Sequence, residues 1–273
     1  MRIYTYAIID SNSKISDSIN GLEGVGVYNI PYRDIGIVVS EGEQIQDKTQ
    51  EHILKHEEVV EKLMESFTVL PVSFLTLFKR EDDVLLTMQE YYSDFRENLD
   101  RLRNKVEFGI KIIWPGETIK NRIIEASKKF NAFATKNGES AKNFGGNVTI
   151  PDNSPGKSFA KEKFERYKID KKFAEEADRC IALLDDFFSR FAAEKKLEKL
   201  KSDNLLLNAY YLVEKEKQRD FKEAFERTRS TPGDLKFLLS GPWPPYNFIV
   251  LTKNADMFNR KPTNQNLAGK NTL

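Results

Sequence analysis

The only two histidines, His52 and His56, stand four residues apart in a stretch with helical periodicity. On a helix that spacing puts both imidazoles on one face, where they supply two of the ligands a zinc site needs. The segment reads His-Ile-Leu-Lys-His, with Glu57 next; a metalloprotease helix carries its glutamate directly after the first histidine, and no third ligand stands out. Half a metal site favours the plainer expectation: two surface histidines on the polar flank of an amphipathic helix. Thiol chemistry fares no better. Cys180, the single cysteine, sits between Ala177 and Leu184 in an apolar stripe with no histidine nearby, where burial raises a thiol's pKa and weakens it as a nucleophile. One cysteine forms no internal disulfide, which fits a reducing compartment.

Phosphate cradles need glycines aimed by a strand-to-helix turn. Gly21, Gly24 and Gly26 have the wrong spacing, and Gly145-Gly146 lies in a loop-like stretch. The segment Val106-Glu107-Phe108-Gly109-Ile110-Lys111 distantly echoes an RNA-binding strand but lacks the aromatics that stack on bases. The basic run over residues 157–172 is interleaved with Glu162, Glu165 and Asp170 and reads as a solvated helix face. No nucleophile–histidine–acid set or paired-acid site emerges, so the residues argue against an enzyme and imply no cofactor.

One segment does stand out, Gly241-Pro242-Trp243-Pro244-Pro245-Tyr246-Asn247-Phe248. Proline fixes φ and holds its predecessor extended, so this stretch is stiff before anything binds it. A stiff segment carrying Trp and Tyr loses little entropy on docking, which makes Pro242, Trp243, Pro244, Pro245 and Tyr246 candidate partner-binding residues. The alternative is internal: Trp243 and Tyr246 pin the last strand to the core.

The elements that must position these residues follow from periodicity. The 43 basic and 42 acidic residues leave a net charge of +1, which gives no drive toward nucleic acid or anionic lipid. A hydrophobic fraction of 40%, rich in Phe and Tyr, suffices for a core and excludes wholesale disorder. The uncharged apolar run at 68–78 is too short to span a bilayer and contains Pro71, and the first ten residues lack a signal peptide's apolar block, so a soluble cytoplasmic protein is expected. Residues 2–10 read as a strand, and 25–31 with 35–40 as a hairpin. A helix follows over 47–67, with Asp47 and Gln50 as a capping box, Ile53, Leu54, Val60, Leu63, Met64 and Phe67 inward, and Glu57, Glu58, Glu61 and Lys62 toward water. A strand at 69–78 that is buried on both faces or covered at an edge, one helix over 81–102, a strand at 106–114 and a helix at 117–133 come next. Residues 137–156 read as a mobile insert and about 158–200 as helical. The series ends with a strand at 205–213, a helix at 215–228, strands at 234–239 and 246–251, and a polar tail over 253–273. This order predicts an α+β fold of two domains, 1–104 and 105–252, with mixed or antiparallel sheets and packed helices.

Six segments stand out in order: Ile3-Tyr4-Thr5-Tyr6-Ala7-Ile8, Ile35-Gly36-Ile37-Val38-Val39-Ser40, His56-Glu57 with Val59-Val60, Val69-Leu70-Pro71-Val72-Ser73-Phe74, Val106 to Lys111, and the proline-rich signature followed by Phe248-Ile249-Val250. Taken together they resemble the gas vesicle GvpF/GvpL family. Ser73 and Leu75 stand where family members often carry Arg and Gly, and the choice between the F and L branches stays open. The resemblance implies a modified ferredoxin-like C-terminal domain. It also implies a non-enzymatic role in gas vesicles, as an assembly factor or minor structural component touching the hydrophobic shell subunit and accessory gas vesicle proteins. Oligomeric state is left open. A ferredoxin-like module that binds a small molecule or metal for regulation is the competing reading.

Overall fold

The computed structural model describes residues 2–15, 19–42, 49–136, 155–199, 205–230 and 235–252. Elements run β1 (Arg2–Ile9), β2 (Val27–Tyr32), β3 (Ile35–Gly42), α1 (Gln50–Ser66), β4 (Val69–Pro71), β5 (Leu77–Phe78), α2 (Glu81–Glu90) and α3 (Tyr92–Leu102). They continue with β6 (Lys105–Ile113), α4 (Gly116–Lys136), α5 (Pro155–Ser189), β7 (Glu194–Lys199), β8 (Leu205–Glu214), α6 (Gln218–Arg229) and β9 (Lys236–Trp243). The result is an α+β fold with two antiparallel sheets.

The first sheet has the order β2-β3-β1-β4, with β5 also paired to β1. Helix α1 covers one face, where Val59, Val60 and Leu63 meet Tyr4, Tyr6, Ala7 and Ile9. Helices α2 and α3 cover the other, where Val84, Met88, Phe95 and Leu99 meet Ile8, Ile37 and Val39. A central strand buried on both sides explains why β1 is apolar at nearly every position rather than alternating. The second sheet has the order β7-β8-β6-β9. Its α5 and α6 face packs Phe108, Ile110, Ile112, Leu207, Ala209 and Tyr211 against Ala177, Phe188, Phe221 and Phe225. Part of its opposite face, at Leu212, joins the core of the first sheet beneath α3.

Several expectations are corrected. The expected strand at 69–78 is two short ones: Ala7 pairs with Pro71 but Tyr4 with Leu77, so that stretch carries three residues more between the two pairs than β1. Opposite it the chain turns at Leu75 (φ 66°), while Val72 N–H still donates to the Tyr6 carbonyl and Thr5 N–H to the Thr76 carbonyl. The expected helix at 81–102 kinks at Tyr91 (φ −107°, ψ 11°) into α2 and α3. Tyr92 then turns to the hairpin, where its hydroxyl donates to Asp34 at 2.5 Å and its ring sits under Arg33. Helix α1 is capped by Thr49, whose side chain accepts the His52 N–H, rather than by the Asp47–Gln50 box; Asp47 lies outside the described residues.

The helical reading of 158–200 fails at its end, where 194–199 is the edge strand β7. That strand is highly charged because it lies at an edge: Lys195 pairs with Asp185 at 2.5 Å, Lys199 pairs with Asp178, and Arg101 reaches Glu194 at 2.6 Å. No strand forms over 246–251. Pro244 and Pro245 lack amide protons, and the chain makes a 3-10 turn over Tyr246–Phe248. Most of the expected insert, residues 137–154, and the tail 253–273 lie outside the described residues.

Candidate functional site

The proline-rich signature begins inside β9 and leaves it as a strap across both sheets. The register between β6 and β9 slips between Glu107 and Gly109, so Trp243 stands opposite Glu107 and Ser240 opposite Gly109. Gly241 and Pro242 occupy the slip. Gly241 sits at φ 103°, and a Cβ there would lie 2.6 Å from the Glu107 carbonyl oxygen, so the bend requires glycine. Of the candidate partner-binding residues, Pro244 and Pro245 are buried, whereas Pro242, Trp243 and Tyr246 keep partial exposure. Phe248, beyond them, is buried in the core shared with α3.

Two polar devices seat this strap. The first is Glu107, buried on β6. Its two carboxyl oxygens accept the Asn247 backbone N–H at 2.8 Å and side-chain amide at 2.5 Å. Burial pushes this carboxyl up to about 7, against the opposing pull of the Asn247 donors and Lys196. The second is a row on α3. Asn98 donates to the Val250 carbonyl at 2.6 Å and accepts the Val250 N–H at 2.9 Å, which copies a strand partner. Asp94 accepts the Thr252 N–H at 2.8 Å, and Arg101 donates to the Phe248 carbonyl. These four α3 and β6 side chains lie in stretches that read as ordinary amphipathic elements, so sequence reasoning missed them. The signal in the sequence was slight: a carboxylate on β6 and, far downstream, an Asn two residues after the last proline of the signature.

The histidines do not come together as a pair. His52 lies near the surface with Nε2 2.7 Å from Glu23. His56 is buried, which corrects the expected surface position. Its Nε2 lies 3.0 Å from the Val72 carbonyl, which only accepts, so Nε2 carries the proton. Nδ1 is therefore an acceptor, and the Tyr4 hydroxyl donates to it at 2.8 Å while accepting the Leu75 N–H at 3.3 Å. Burial lowers His56 to about 4, so the imidazole is neutral near pH 7. Glu57 and Glu61, expected in water, are half-buried, and burial raises both carboxyls. Cys180 packs in the second core with its thiol raised by burial. Among the described residues, no three His, Cys, Asp or Glu side chains are gathered as metal ligands, and no helix is long and apolar enough to cross a membrane.

These features define a class of α+β protein in which two antiparallel sheets are clasped by a proline-rich C-terminal strap. The sequence model of the family "Gas vesicle synthesis protein GvpL/GvpF" matches residues 2–250, and the chain belongs to that family. It is similar to gas vesicle protein F2 of Halobacterium salinarum, at 23% identity over 93% of this chain and 94% of that protein. It is also similar to gas vesicle protein F of Haloferax mediterranei, at 25% identity over 93% and 96%. The crystal structure of gas vesicle protein GvpF from Microcystis aeruginosa shares the fold, with a TM-score of 0.72 at 20% identity, covering 92% of this chain and 99% of that one. Membership gives the chain a gas vesicle-related role in a non-enzymatic class of proteins.

Proposed function

We propose that this protein is a gas vesicle assembly factor or minor structural component that works by contact with the hydrophobic shell subunit and with accessory gas vesicle proteins. A shell that holds gas needs subunits with a strongly apolar face, and such a face aggregates unless another protein shields it before assembly. The observation that carries the reading is the contrast between the two edges of the second sheet. Five of the six residues of β7 are charged, which protects that edge against pairing. Strand β9 carries one charge in eight residues, and its Leu238 is 48% exposed. An edge of that composition suits an added apolar strand, with the half-exposed Pro242 and Trp243 extending the surface at its end. Family membership supports the same direction. The β6–α4–α5–β7–β8–α6–β9 order supports reading residues 105–252 as a separate ferredoxin-like domain.

Co-expression with the shell subunit followed by affinity capture tests the proposal. The wild-type chain is expected to retain the shell subunit or an accessory gas vesicle protein. Leu238→Lys is expected to lose at least tenfold of that capture with an unchanged melting temperature. A wild-type chain that captures neither class of partner refutes the proposed role. Undiminished capture by Leu238→Lys removes β9 as the contact.

A further inference from the structure

We propose that Glu107 is a proton-operated clasp: a neutral Glu107 carboxyl holds the strap 244–252 across the two sheets, and its ionisation loosens that hold. One side chain of the second sheet, Glu107, holds the strap by two hydrogen bonds. Glu107 faces away from the α5 and α6 core, opposite Leu212 on β8 and Trp243 on β9. Both its oxygens are engaged by Asn247. Glu107 is 4% exposed, and Pro244, Pro245 and Phe248, which flank Asn247 and Tyr246 along the strap, are buried too.

Burial is what disfavours a negative charge on Glu107, against the pull of the Asn247 donors and Lys196. Tyr246, next to the Asn247 partner, has its phenol raised by burial, then by Glu57 of α1, Tyr4 of β1, Glu61 of α1 and Glu107. Tyr210 of β8 has its phenol raised by burial, then by Glu198 and Glu107, so both phenols are neutral neighbours that add no charge. Lys196 of β7 is the opposing cation, and its ammonium lies over the Phe248 ring. Arg101 of α3 is taken up by Glu194 and the Phe248 carbonyl. A neutral carboxyl still fits the site: one oxygen accepts the Asn247 N–H, and its O–H donates to the Asn247 amide oxygen once that amide is turned over. Burial leaves the seated carboxyl titrating near 7, within reach of ordinary intracellular pH.

The sign of the effect follows from linkage. A carboxyl at its ordinary value when the strap lifts, and at about 7 when it is seated, favours seating at low pH. The advantage falls as pH rises from about 4.5 to 7 and then levels off. Hydrogen exchange of the Asn247, Val250 and Thr252 amides in the full-length protein, corrected for intrinsic exchange, reads this directly. Protection at pH 5 is expected to exceed that at pH 8 on the order of fiftyfold. Glu107→Gln keeps the shape and the neutral hydrogen bonds, and is expected to reduce the ratio to a few-fold, the remainder coming from Glu57 and Glu61. Asn98→Ala, which removes two strap bonds on α3, is expected to lower protection at every pH while leaving the ratio intact. Equal protection at pH 5 and 8 in the wild type, an unchanged ratio in Glu107→Gln, or loss of the ratio in Asn98→Ala overturns the proposal.

Discussion

Replacing His56 by Phe tests the buried polar ladder at the centre of the first sheet. The wild-type chain of bonds runs from the Leu75 N–H to the Tyr4 hydroxyl, from that hydroxyl to His56 Nδ1, and from His56 Nε2–H to the Val72 carbonyl. Phe fills the space and makes none of these bonds. It leaves the Val72 carbonyl without its side-chain donor and the Tyr4 hydroxyl without its acceptor, in a site where Tyr4 is 0% and His56 2% exposed. Each orphaned buried group costs about 1–3 kcal/mol, so the variant should lose roughly 2–5 kcal/mol. Tyr4→Phe alone also strands His56 Nδ1 and the Leu75 N–H. The double variant Tyr4→Phe/His56→Phe removes donor and acceptor together and should therefore lose at least about 1 kcal/mol less than the sum of the singles. Urea unfolding of the four proteins measures the cycle. A single-variant loss under about 1 kcal/mol, or strict additivity, would refute this buried ladder as a coupled set of bonds.

Two smaller predictions concern backbone geometry. Gly241→Ala forces a Cβ into the left-handed region at φ 103°, 2.6 Å from a backbone oxygen. It should cost roughly 2–4 kcal/mol in chemical denaturation, whereas alanine at Gly26, where nothing lies within 4 Å, should cost less than about 1. Thr49→Ala removes the oxygen that accepts the His52 N–H at 3.2 Å. It should lower stability by about 1 kcal/mol, and Thr49→Ser should restore most of that in the same assay.

Most elements were legible because their burial is local. The hairpin, β6, β8 and α6 each carry the period of the surface that covers them. What stayed illegible depended on distant chain. Glu107 alternates with Val106, Phe108, Ile110 and Ile112 and so reads as the solvent face of β6; it is buried because a strap 140 residues later folds over it. Strand β7 has no apolar alternation because it is an edge strand held by its ladder to β8, with its charged side chains reaching α5 and α3. His56 had a readable signal that other features masked. It stands three, four and seven residues before Val59, Val60 and Leu63, the buried stripe of α1, so the stripe is turned from the one drawn through Leu54, which is 43% exposed. The proline-rich signature was legible as a stiff segment, but stiffness serves an internal clasp as well as an interface, and only three-dimensional packing separates Pro244 and Pro245 from Pro242 and Trp243.

The two perturbed buried groups should act on global stability in opposite senses. His56 falls from 6.5 to about 4 on folding. As pH drops below 6.5 the unfolded chain takes up the proton first, so stability present above pH 6.5 is lost down to about pH 4. Glu107 rises from 4.5 to about 7. Here the folded state holds the proton, so its contribution is complete below pH 4.5 and is lost as pH climbs to about 7. Each span is worth about 3 kcal/mol. Between about pH 4.5 and 6.5 the two slopes cancel, and the wild type should show only the drift contributed by its other groups. Subtracting the wild-type curve from each variant removes that drift. The Glu107→Gln difference should rise by about 3 kcal/mol from pH 4.5 to 7, and the His56→Phe difference should fall by a similar amount from pH 4 to 6.5. Urea midpoints across this range give both curves. Difference curves that are flat, or that slope the same way, would show that burial does not govern the charge of these two side chains.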